Sequence, residues 1–249
     1  MELLFVFIFG ALIGSFLNVV ILRIPRDENV AFPASHCMSC NTPLRAWHNV
    51  PILSWLFLRG KCAFCGAKIS IQYPLIEVLS GLIFLFSAMK FGLTFQAAGI
   101  AVTFALLLAL SAIDYRYKMV PDSLNLGALS VAVFSVTSFE QFGYNVTNAL
   151  LFSGGFSLLR FYISYIIKKE AMGEADIMIA ATIGALLGVK LGLAAIFLGA
   201  VLALPALLLT RDESDESKEL PFIPFLALAC WIVVMFDTYV NDFLVGIYG

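Results

Sequence analysis

Residues 172–210 read MGEADIMIAATIGALLGVKLGLAAIFLGAVLALPALLLT. Two carboxylates, Glu174 and Asp176, head a run in which Lys190 is the one remaining charge. About 20 apolar residues suffice to cross a bilayer, so this run is long enough for one span or two. The rest of the chain agrees, with 61% hydrophobic and 13% charged residues, where soluble domains carry about 25% charge, and a mean hydropathy of +0.96. The expected fold class is an all-α polytopic integral membrane protein. The net charge of −2 gives no basic footprint for a nucleic-acid partner.

Working outward, eight apolar windows are expected to span the membrane: Leu3–Ile24, Tyr73–Met89, Thr94–Ile113, Ser123–Phe139, Val146–Ile167, Ile177–Val189, Leu191–Thr210 and Leu220–Ile247. Lys190 alone divides the sixth from the seventh, and Pro221 and Pro224 interrupt the eighth. Gly184, Gly188 and Gly192 recur at the four-residue spacing that lets helices approach closely in lipid. The first window lacks a basic head, is longer than a signal-peptide core and has no small-residue cleavage site after it, so it is read as a permanent span. The chain then divides into a first span (1–24), a loop (25–72) and a membrane core (73–249).

Thirteen of the fifteen Lys and Arg residues fall in or beside the odd-numbered loops, leaving Lys90 and Lys190 for the even ones. By the positive-inside rule the odd loops are cytoplasmic and both termini lie outside. Asp114, ending the third span, and Asp176, starting the sixth, are thereby brought to the same face of the membrane. A carboxylate at a helix C-terminus opposes the helix dipole, and one at a bilayer boundary is costly without a cavity or partner. Asp114 therefore hints at function, although Arg116 or Lys118 could simply neutralise it. Asp122, after Val120-Pro121, is placed to cap the next helix. Glu174 and Asp176 suit a helix N-terminus.

The loop from Pro25 to Gln72 carries Cys37-Met38-Ser39-Cys40 and Cys62-Ala63-Phe64-Cys65, with 21 residues between the pairs and a turn residue, Asn41 or Gly66, after each. Paired CxxC knuckles supply four thiolates for a tetrahedral metal, zinc above all. A segment this short has little core of its own, and metal binding can provide the missing folding energy. Four cysteines leave no open coordination position, which makes the site structural. Disulfides or a redox pair are the alternative, disfavoured in the cytoplasm. Cys230 stands alone in the last span as a packing residue. His36 and His48 read as ordinary loop residues, with His36, beside Cys37, an alternative ligand; no HExxH helix is present, and no Gly-x-Ser-x-Gly elbow supports serine chemistry.

These features carry a resemblance. GALIGSFLNVVILRIP, the paired CxxC loop, YPLIEVLSG, the segment from Asp114 to Pro121-Asp122, MGEAD and LPFIPFLALA stand in the order found in type IV prepilin peptidases, and the resemblance covers nearly the whole chain. It implies an eight-helix aspartic protease of the GxGD class in the bacterial inner membrane, in which Asp114 and Asp176 form the catalytic pair, one as general base on a water and the other as general acid. Its substrates would be prepilin or pseudopilin precursors serving pili, type II secretion or competence, cut at the cytoplasmic face and then N-methylated with S-adenosylmethionine. Two positions depart from the motif. Ala175 replaces its second glycine, which strains the backbone if that position needs positive φ, and Met178 replaces a basic residue.

Glu77, in YPLIEVLSG, is a membrane-embedded carboxylate and a candidate substrate-binding residue; Arg59 or Lys61 could pair with it instead. Glu174 is expected to face water or pair with Lys168 or Lys169. No strand followed by a Gly-rich turn marks a cofactor site, so S-adenosylmethionine use rests on the resemblance. Two other classes remain open at this point. A proton-coupled transporter would also hold intramembrane carboxylates, but near mid-membrane at a repeat interface, and an assembly scaffold would tolerate Asp-to-Asn changes.

Overall fold

The computed structural model describes residues 1–170, 172–210 and 221–248. Among these there are nine α-helices and no β-strand beyond two isolated bridges. Many large apolar side chains point outward, Leu12, Phe16, Phe161 and Leu208 among them, as lipid-facing surfaces require. The chain divides into two compact units, 1–101 and 102–249.

In the first unit α1 (Glu2–Arg23) packs along α3 (Gln72–Phe91), and the short α2 (Leu53–Phe57) lies in the loop between them. Lipid gives helices no hydrophobic reason to associate, so close backbone approach and hydrogen bonds must hold them. Gly10-Ala-Leu-Ile-Gly14 provides the approach: a Cβ on Gly14 would lie 2.8 Å from Glu77 Cα, and one on Gly10 2.9 Å from the Ser80 carbonyl. Ser80 Oγ donates to the Gly10 carbonyl (2.7 Å) and Asn18 Nδ2 to the Tyr73 carbonyl (3.1 Å).

The division between units falls within α4 (Phe95–Tyr117), after Ala101. Beyond it the second unit gathers α5 (Asp122–Phe134), α6 (Phe139–Ile167), α7 (Glu174–Thr210), α8 (Ile223–Met235) and α9 (Asp237–Tyr248). Ser138 caps α6, accepting from the Gln141 N–H, while the Gln141 side chain accepts from Thr137. Ala132, Ala149, Ala181 and Ala185 bring α5, α6 and α7 together, and α8 packs against α7, with Leu226 against Gly199, while Ala229 and Cys230 of α8 are wholly buried. Cys230 is thus a packing residue.

Five described helices, α1, α3, α4, α6 and α7, are long and apolar enough to cross a membrane, and α8 with α9 adds a sixth if the pair, bent by 88°, is one span. The count differs from the expected eight for local reasons. The window Ser123–Phe139 yields only the 13-residue α5, about 20 Å at 1.5 Å per residue. The expected sixth and seventh spans run together as α7, which leaves helical geometry at Gly188 (φ 70, ψ −173) and not at Lys190. That break is sharp. Cβ positions on Gly184 and Gly192 would each fall within 2.7 Å of the Phe152 ring, whereas a straight helix would hold them about 12 Å apart. Gly184 and Gly192 thus serve close packing as expected, while Gly188 serves a turn.

The last window also breaks elsewhere than expected. Pro224 sits in the first turn of α8, where its missing N–H costs nothing, and the bend lies at Phe236. Arg211 and Lys218 of the charge count, and the start of that window at Leu220, fall outside the described residues.

Candidate peptidase site and metal centre

The second unit brings Asp114 and Asp176, 62 positions apart in sequence, within electrostatic range of each other. Asp114 lies in the last turn of α4 and is 8% exposed. Its Oδ2 accepts the Ile223 N–H at 3.1 Å, and Ile223 is the first residue of α8. The carboxylate that opposes its own helix dipole therefore sits on the favourable end of another helix. Lys118, one turn on, also acts on it electrostatically. Asp176 is half-buried in the first turn of α7 and accepts the Gly173 backbone N–H, reaching back to the helix start as the third residue of a capping box does.

Ala175 is helical and absent from the positive-φ positions. The glycine it replaces would need no special conformation here, so the anticipated strain does not arise. Glu174 is exposed and pairs with Arg160 of α6 at 3.1 Å, not with Lys168 or Lys169; Arg160 also holds Glu170 at 3.6 Å. This partner of Glu174, 14 residues back along the chain, is set by how α6 and α7 pack, which spacing along the chain does not reveal. Asp122 is the first residue of α5 behind an N-cap of Pro121, with no side-chain cap bond. Its charge still suits the helix N-terminus.

In the first unit the four loop cysteines converge, with all their sulfurs within 4.8 Å of one another. The two knuckles are built alike. In one the Asn41 N–H donates to the Cys37 carbonyl (2.8 Å) and the Cys37 N–H to Thr42; in the other Gly66 donates to Cys62 (3.0 Å) and Cys62 to Ala67. Both turns close through a left-handed residue, Asn41 (φ 54) and Gly66 (φ 72), the geometry that Asn and Gly tolerate best. Cys37 and Cys65 sulfurs stand 3.8 Å apart, far beyond a disulfide bond of about 2.05 Å and close to the edge of a tetrahedron with Zn–S bonds of about 2.3 Å. All five cysteines are free thiols.

Backbone N–H groups of Ser39 and Cys40 hold the Cys37 thiol below its ordinary pKa, those of Cys65 and Phe64 do the same for Cys62, and the Thr42 hydroxyl lowers Cys40. At Cys65 the Ala67 N–H is outweighed by burial and by the three neighbouring thiols, and its pKa stands at about 11. Four sulfurs this close become thiolates together only around a cation. The donor set fits a tetrahedral, thiophilic metal. Neither histidine joins it: His36 Nδ1 lies 3.1 Å from the Ala34 carbonyl, and His48 packs between Trp47 and Phe64.

Glu77 is buried at the α1–α3 crossing, 7% exposed. Its Oε2 accepts the Ile52 N–H at 2.7 Å and its carboxylate takes a further bond from Ser15. Ile52 holds the rare geometry φ 64, ψ −53, and the Leu53 N–H closes the turn onto the Pro51 carbonyl. Sequence reasoning missed both this clamp and the paired glycines of α1; the Gly-x-x-x-Gly spacing was a usable signal for the second.

Residues 8–91 match the Bacterial Peptidase A24 N-terminal domain and residues 101–208 the Type IV leader peptidase family. The chain is 34% identical to a prepilin leader peptidase/N-methyltransferase of Stutzerimonas stutzeri, over 94% of this chain and 90% of that one. The chain belongs to the type IV leader peptidase family. Relatives with the same name in Neisseria gonorrhoeae (33% identical, 91% of this chain and 87% of the relative) and Xanthomonas campestris (34%, 95% and 91%) place it equally. No solved structure is a significant match to the chain. As a member of this family it carries the family's two matched regions in order, with the cysteine cluster in the first and both aspartates in the second.

Proposed function

We propose that the chain is a membrane aspartic endopeptidase that removes the leader from type IV prepilin or pseudopilin precursors. The observation that supports this reading is that Asp114 and Asp176, both in the region matching the leader peptidase family, stand at helix ends of one unit within electrostatic range. One carboxylate takes a proton from water as the oxygen attacks the scissile carbonyl carbon. The other protonates the departing amine. The pair lies at the cytoplasmic face of the bacterial inner membrane, where water and a basic leader are both at hand, while the substrate's apolar helix stays in lipid.

The proposed topology keeps eight crossings, with α5 and the segment of α7 before Gly188 as short spans, both termini outside and the cysteine loop inside. Cysteine labelling of that loop from outside intact cells would contradict it. Zinc is the proposed metal of Cys37, Cys40, Cys62 and Cys65, and its role is to fix the loop. The relatives' names extend the proposal to N-methylation of the new terminus. S-adenosylmethionine would supply the methyl group, but no strand, Gly-rich turn and helix form a recognisable cradle among the described residues, and no residue is assigned to it.

The test uses purified protein and a synthetic prepilin-like peptide, with mass spectrometry reading the cut site and any added methyl group. Asp114→Asn and Asp176→Asn are each expected to abolish cleavage, and the double variant to be no worse than either. Substantial cleavage by either correctly inserted single variant would remove the aspartic reading.

A further inference from the structure

Asn125 is 0% exposed in the interior of α5. Its Nδ2 donates at 3.0 Å to the carbonyl of Ala175, the residue immediately before Asp176. Among the described residues no donor reaches its Oδ1, although that atom is fully buried. Neither fact gives Asn125 a stabilising role. Ala175 is in α7, whose helical pattern already gives its carbonyl a backbone partner one turn on, so the extra bond rescues no stranded group. The unpaired amide oxygen costs free energy that an apolar side chain would avoid. A buried amide whose one bond goes to the backbone beside Asp176, and whose oxygen is left unpaired, is better explained by what it positions.

We propose that Asn125 is a positioning residue of the peptidase site. This rests on the aspartic reading above. Through the Ala175 carbonyl it fixes the first turn of α7, and with it the backbone from which the Asp176 carboxylate projects. Geometry makes the tether effective: α5 begins only five residues after α4 ends, so the helix bearing Asn125 is tied closely to the one bearing Asp114. One amide thus sets the distance between the two carboxylate-bearing backbones. A misplacement of about 1 Å in such a pair costs on the order of 100-fold in rate.

The test replaces Asn125 by Leu, which keeps its branching and heavy-atom count, and separately by Val, which is less bulky. Thermal unfolding and steady-state cleavage of the synthetic prepilin-like peptide are measured on the full-length protein in detergent. The expected result is a Tm kept within about 3 °C, KM within threefold and kcat lowered tenfold or more. A kcat within threefold of the parent, a loss confined to KM, or Tm and kcat falling together in both variants would overturn the proposal; if one variant fails to insert, the other decides. Asp114→Asn and Asp176→Asn run alongside separate the two hypotheses. If they cleave, the aspartic reading fails; if they are dead while both Asn125 variants are fast, only the role of Asn125 fails.

Discussion

Replacing Glu77 separates two roles for a buried carboxylate. As a substrate-charge receptor it needs its negative charge; as a clamp on Ile52 it needs only an oxygen acceptor. The bond from the Ile52 N–H is short, 2.7 Å, and one to a carboxylate contributes about 1.5–3 kcal/mol. Ile52 is β-branched and held at φ 64, ψ −53, a conformation costing about 1–3 kcal/mol. The bond and the strain are of the same size, so the turn persists because Glu77 holds it. Glu77→Ala removes the acceptor, and opening of the Ile52 amide becomes easier by the strength of the bond, which speeds its hydrogen exchange about 10- to 150-fold. Relief of strain pushes the same way. Glu77→Gln keeps a side-chain oxygen at the same place and, with a neutral acceptor, should speed exchange by no more than about tenfold. Hydrogen exchange read by mass spectrometry over a peptide spanning Ile52 checks both variants. Unchanged exchange in Glu77→Ala refutes the clamp, and a Gln variant that exchanges like the parent yet cannot cleave returns Glu77 to the substrate.

Three further outcomes are expected. Elemental analysis should find one zinc per chain, lost in Cys37→Ser and Cys62→Ser, because the four thiolates form one closed site; active protein without metal would contradict it. Gly14→Ala should lower Tm in detergent, since the added Cβ would stand 2.8 Å from Glu77 Cα, a backbone atom that cannot swing aside, and overpacking of this kind costs about 1–3 kcal/mol. Ala175→Gly should leave cleavage within about twofold and slightly lower stability, by about 0.5–1 kcal/mol, because the position is helical; a large gain in rate would show that the motif glycine matters for more than conformation.

Helix class and membrane character were legible because they depend on local composition: windows such as Leu3–Ile24 and Thr94–Ile113 return as α1 and α4 with ends shifted by a few residues. The knuckles were legible for a similar reason, since two thiols and a turn residue within five positions leave little freedom. What was not legible depends on packing. Nothing near Lys190 says that the chain turns two residues earlier; that follows from Phe152 of α6 lying against Gly184 and Gly192. Hydropathy likewise cannot stop α5 at Phe134, because Ser135 to Ser138 remain compatible with a span and only the capped start of α6 sets the boundary. Glu174 chose Arg160 over the lysines next to it for a reason of the same kind.

The two aspartates raise a last question, because each already has a structural occupation. Asp114 accepts from the first N–H of α8 and Asp176 from the backbone at the start of α7, so capping is one account of both. Capping does not require aspartate, however: asparagine and serine satisfy a helix N-terminus about as well, and an asparagine at 114 would keep the bond to Ile223. Nor does it explain the position of Asp114, at the C-terminal end of a helix whose dipole disfavours an anion and with only 8% of its surface exposed. A charged carboxylate held in that place costs more to bury than a neutral cap, a cost that the end of α8 and Lys118 offset only in part. What distinguishes it is the ability to gain and lose a proton. In the proposed reaction these bonds hold the two carboxylates at the ends of separate helices, and proton transfer, which no neutral cap can perform, is the role that Asp114→Asn and Asp176→Asn test.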